Sequence, residues 1–101
     1  MNWIIETLYV KPSEDGLSNV VVSANWRCNG TQGQYSGTCY GTCHFGPPDP
    51  TDFTAYDDLT QDDVLNWCFA QLDKAGIEAS VNKQIADLIN PPILTPALPW
   101  A

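Results

Sequence analysis

LSNVVVSANWRC, residues 17–28, decides the fold class, because strict alternation puts Val20, Val22, Ala24, Trp26 and Cys28 on one face. Ser23, Asn25 and Arg27 fall on the other. A half-buried strand with its apolar face toward a core follows. Upstream, WIIETLYV (3–10) is β-branched and aromatic. Alternation there sets Trp3, Ile5, Thr7 and Tyr9 against Ile4, Glu6, Leu8 and Val10, a strand without a cleanly polar side. Between the two, Lys11 to Gly16 carries Pro12 and Asp15-Gly16 and reads as a turn that returns the chain antiparallel.

Downstream, Asn29-Gly30 signals a connection, and a third strand through about Gly46 carries Tyr35, Gly37, Cys39, Gly41 and Cys43 on one side. A four-residue loop over 29–32 places Trp26 opposite Tyr35, Ala24 opposite Gly37 and Val22 opposite Cys39. Trp26 and Tyr35 are then the anchors of the core. Residues 46–58 hold Pro47, Pro48 and Pro50 and cannot continue a ladder, so they connect sheet to helix.

Thr60 reads as the N-cap of a helix with Asp62 and Asp63 in its first turn and Leu59 placed to meet Val64. Val64, Leu65, Cys68, Phe69 and Leu72 form its apolar stripe, and Gly76 reads as its stop. A second helix shows Ile77, Val81, Ile85, Leu88 and Ile89 on one face and ends at Asn90-Pro91-Pro92. The expectation is an α+β fold. It has one domain over residues 1–90, an antiparallel sheet of three or more strands packed with two C-terminal helices, and an extended Pro-rich arm over residues 91–101.

At 101 residues, with 44% hydrophobic and 16% charged side chains, the chain has material for one core. The net charge of −8, with only Lys11, Arg27, Lys74 and Lys83 as bases, opposes binding to nucleic-acid phosphates. Residues 1–6 carry no cationic segment, and no run of about 18 apolar residues occurs. The expected protein is soluble, with neither nucleic acid nor membrane as partner.

Cys28, Cys39, Cys43, Cys68 and His44 raise zinc first. The spacing is C-x3-C, and on a straight strand Cys39 and Cys43 share a face but sit about 13 Å apart, too far for one tetrahedral ion. Buried apolar thiols are the preferred reading, with a disulfide as the other alternative. In the register above, Cys28 and Cys39 are about six residues out of step for one. His44 beside Cys43 lacks an orienting third group and an oxyanion site, so the chain reads as a non-enzyme without metal or cofactor. Asp49, Asp52, Asp57, Asp58, Asp62 and Asp63 crowd together without EF-hand spacing and read as a solvated acidic rim.

In the arm, Ile93, Leu94, Leu98 and Trp100 form an apolar strip that something must cover. Either it folds back across its own sheet or it binds a neighbouring protein. The order of Tyr35-Ser36-Gly37, Tyr56 to Thr60 and Leu98-Pro99-Trp100 resembles a family of small uncharacterised tailed-bacteriophage proteins, and the likeness covers nearly the whole chain. That resemblance implies a virion setting, with the host cytoplasm before assembly. Capsid decoration or cementing is the favoured role, through contacts with other virion proteins and with further copies. A tail, baseplate or fibre component is the near alternative, and an acidic inhibitor of a host nucleic-acid enzyme is the alternative of another class.

Overall fold

The computed structural model describes residues 1–14, 16–46 and 53–100. Three long strands, β1 (Asn2–Glu14), β2 (Leu17–Gln32) and β3 (Tyr35–His44), form an antiparallel meander in the order β1-β2-β3. A 3-10 turn at Tyr56–Asp58 precedes α1 (Gln61–Phe69) and α2 (Lys74–Ile89). The fold is α+β, as the alternation and the two helical stripes predict. Among the described residues no helix is long and apolar enough to cross a membrane.

The hairpins differ from the sequence expectation in a way that packing explains. β1 does not stop at Val10 but runs through Pro12 to Glu14, where an edge strand tolerates a residue without an N–H. β2 runs past Asn29-Gly30 to Gln32, and the turn to β3 is Gly33-Gln34, with Gly33 at φ +60°. Glycine at the first central position with positive φ is what a type II′ hairpin turn needs. The register therefore pairs Gln32 with Tyr35, Cys28 with Cys39, Trp26 with Gly41 and Ala24 with Cys43. The expected pairing of Trp26 with Tyr35 is wrong by six positions, although the faces are unchanged because six is even.

Two close fits hold this register. A Cβ on Gly41 would come within 2.8 Å of the Trp26 ring, so the indole packs directly against the glycine opposite it. Gly30 and Gly37 are also direct partners. Here a Cβ would come within 2.8 Å of Val81 Cγ1 at Gly30 and of the Val81 carbonyl oxygen at Gly37. That glycine pair is the seat on which α2 rests. Asn29-Gly30, read as a turn signal, is thus an interior site of close backbone approach.

β1 is irregular at Glu6, where the partners step from Ile5–Trp26 to Thr7–Asn25. The bulge shifts the alternation, so the core face continues from Trp3 and Ile5 to Leu8, not to Thr7. This resolves the absence of a polar side: β1 changes face part-way along.

α1 begins as expected. Thr60 Oγ1 accepts from the Asp63 N–H (3.2 Å), and Asp63 Oδ2 accepts from the Thr60 N–H (3.1 Å), closing a capping box. It ends earlier than expected, at Phe69. Gly76 is no stop but lies in the first turn of α2, where its N–H donates to Oδ1 of the N-cap Asp73 at 3.1 Å. The core joins Trp3, Ala24, Trp26, Cys28 and Cys43 of the sheet to Val64, Leu65, Cys68, Val81 and Ile85 of the helices. Trp3 ties its layers together: its ring meets Trp26 at 5.4 Å and Phe69 at 5.0 Å, and its Nε1 donates to Glu78 of α2 at 2.8 Å. Tyr35, expected as an anchor, is half-buried at the hairpin end and packs on the margin of this core.

Candidate functional site

An exposed backbone edge is the simplest docking surface of an open sheet. Here, glutamines from the helices and from the turn between them occupy parts of both edges. On β1, the Ile5 N–H donates to Gln61 Oε1 at 3.0 Å. On β3, the Thr38 N–H donates to Gln84 Oε1 (3.0 Å) while Gln84 Nε2 donates back to the Thr38 carbonyl (2.9 Å), as a paired strand would. Gln71 Nε2 donates to the His44 carbonyl at 2.8 Å. These side chains carry no signal in the sequence; only their place on the folded edges gives them a role. At Ile5, Thr38 and His44 the edge backbone groups are already paired.

The sheet face away from the helices is a polar lattice. Arg27 donates to Glu6 (3.1 Å) and to Thr38 Oγ1 (3.1 Å) and stacks on Tyr40 with 4.9 Å to the ring centroid. Thr38 and Thr42 hydroxyls donate to Asn29 and Asn25, each at 2.8 Å. With the guanidinium already engaged on three sides, this face satisfies itself.

The cysteines lie on the core side. Cys28 faces Cys39 across the strands, correcting the expected six-residue offset, and Cys68 of α1 meets Cys43. Burial pushes the Cys28 thiol up, and the Glu78 carboxylate adds to that. Burial, with a hydrogen bond to Cys43, pushes Cys68 up to about 12. A thiol held protonated is a poor nucleophile and a poor metal ligand. His44 pairs with Ser23 on the polar face, whereas Cys43 points into the core, so the strand's pleat separates the sequence neighbours. Among the described residues, no three His, Cys, Asp or Glu side chains converge as metal ligands. Asp49 and Asp52 of the acidic cluster, and Pro47, Pro48 and Pro50, lie outside the described residues.

The family model that matches the sequence, over residues 1–100, is a domain of unknown function (DUF7936). The chain belongs to this family. Neither the curated proteins nor the solved structures gave a match. For this member of the DUF7936 family, exposed apolar surface is therefore the most direct guide to function.

Half of the exposed large apolar side chains among the described residues fall between Leu88 and Trp100. Residues 91–100 contain neither helix nor strand, and Ile93, Leu94, Leu98 and Trp100 are 84, 70, 56 and 81% exposed. These four side chains are not covered by the described part of the sheet. The strip begins earlier than the sequence reading put it, since Leu88 and Ile89, assigned to the buried stripe of α2, are also exposed. At the other side of the sheet, a groove of about 320 Å³ opens between β1 and α1 beside the Glu6 bulge. Its floor is Ile5, Leu8, Leu59 and Val64.

Proposed function

We propose that the protein is a structural component of a tailed-phage virion that acts by protein–protein assembly, with capsid decoration or cementing as its role. The observation that carries the assembly reading is the exposure of Ile93, Leu94, Leu98 and Trp100 within one short segment. Large apolar side chains left in water in this way mark an interaction site, and a tryptophan among them is the side chain best suited to anchor it. The phage setting rests on the resemblance carried by Tyr35-Ser36-Gly37, Tyr56 to Thr60 and Leu98-Pro99-Trp100. A body of net charge −8 stays soluble in the host cytoplasm until a complementary surface is presented.

Quantitative mass spectrometry of purified virions tests this reading. It requires the protein at a fixed copy number relative to the major capsid protein. Absence from virions together with early expression would favour the inhibitor reading instead.

A further inference from the structure

We propose that the segment from Leu88 to Trp100 docks into the groove between β1 and α1 of a second copy of the chain. This rests on the assembly reading and adds the receiving site.

Three observations converge on it. The first is charge. All twelve acidic and all four basic side chains precede residue 88, so residues 88–100 carry no charged side chain in a chain of net charge −8. Two such bodies repel each other, and an uncharged segment can enter an apolar groove of its neighbour without burying a charge.

The second is chemical fit. The groove has an apolar floor and a polar rim, at a volume suited to a few large side chains. Pro91, Pro92, Pro96 and Pro99 have no N–H, which leaves the segment richer in carbonyl acceptors than in donors. The rim offers donors in the Thr7 and Tyr56 hydroxyls and the Gln61 amide, whose Oε1 already accepts from Ile5. Proline-rich segments also lose little conformational entropy on docking.

The third is connectivity. The segment continues from α2, which packs on β3 and β2, whereas the groove lies along β1 at the opposite edge. In the chain itself Ile93, Leu94, Leu98 and Trp100 stay exposed. A second copy supplies the groove they lack.

The test uses full-length chains and sedimentation across a concentration series. Wild type should self-associate, and more strongly as added salt screens the repulsion between acidic bodies. Leu94→Ala/Trp100→Ala alters exposed residues, and should weaken association about thirtyfold or more with circular dichroism unchanged. Thr7→Glu, which sets a charge on the groove rim at an exposed position, should do the same. Mixing these two variants should restore a 1:1 complex, because one supplies an intact groove and the other an intact segment.

A mixture that stays monomeric, or a Thr7→Glu chain that associates like wild type, overturns the groove assignment and leaves the assembly reading standing. If Leu94→Ala/Trp100→Ala associates normally and also enters virions normally, both fall. A wild-type chain that is monomeric at all concentrations overturns the second copy as the occupant.

Discussion

Within α2 the apolar stripe meets two different fates. Val81 and Ile85 are 0 and 4% exposed, whereas Leu88 and Ile89, one turn further along the same helix, are 53 and 44% exposed. Sequence periodicity treats these positions alike. What separates them is the surface opposite. Val81 rests on the Gly30–Gly37 seat, where the sheet backbone comes close enough to exclude water, and nothing among the described residues plays that part for the last turn or for the segment beyond it. Covered apolar residues specify the fold, and uncovered ones specify what the fold meets.

The largest effect that distinguishes the regions should come from Trp26, which is 6% exposed and lies over Gly41. Trp26→Ala should lower stability by roughly 3–5 kcal/mol, read as a shift in the denaturant midpoint. Its indole N–H has no hydrogen-bond partner among the described residues. Trp26→Phe should therefore cost clearly less than the alanine change, since it keeps an aromatic ring on the glycine and removes an unsatisfied donor. Equal losses for the two variants would show that ring packing against Gly41 contributes little.

Next in size is the seat itself. At Gly37 even a methyl group meets the Val81 carbonyl oxygen at 2.8 Å, and helix backbone cannot rotate aside as a side-chain tip can. Gly37→Ala should cost about 1–3 kcal/mol and raise hydrogen exchange in α2 above that in α1. An unchanged exchange pattern would place the support of α2 elsewhere.

A smaller and pH-dependent contribution comes from the thiols. Cys68 is raised from an ordinary value of 9.0 to about 12 by burial and its bond with Cys43, so the folded chain binds this proton more tightly than the unfolded chain. By linkage its contribution is fully present below about pH 9 and lost as pH rises toward about 12. Denaturation midpoints should fall over that window, and Cys68→Ala should flatten the fall while costing some stability at neutral pH. A wild-type midpoint constant through the window would contradict the burial of this thiol.

How far the fold was legible follows the same division between pattern and partner. Alternation in 24–28 and the Thr60 cap reveal which faces are buried and where α1 begins, because those signals are local, whereas at 20–22 a second register shift leaves Val21 buried and Val22 half-buried. The register was not legible. Asn29-Gly30 and Gly33 are both acceptable turns, and only the needs of Trp26 for a glycine opposite, and of Val81 for a glycine pair beneath it, select the second. The Glu6 bulge is equally silent, since an extra residue has no composition of its own. Of the candidate site, Ile93, Leu94, Leu98 and Trp100 stand out in sequence as apolar residues among prolines. The groove and the glutamine caps require the folded edges before they exist.

The smallest effect on stability should fall on the most apolar stretch outside the core, and this is the sharpest form of the comparison. Trp100 is 81% exposed, so Trp100→Ala removes almost no buried area and should leave the denaturant midpoint within about 0.5 kcal/mol of wild type. The same side-chain deletion at Trp26 should be several times that, although the residue removed is identical. If Trp100 acts in assembly, its loss should instead appear in the partner-bound state, by about 2 kcal/mol or more in association free energy. Removal of residues 91–101 extends the argument: circular dichroism and the midpoint should persist while oligomerisation or virion incorporation is lost. A truncated chain that unfolds would mean that the segment belongs to its own core, and one that assembles normally would move the contact to another surface.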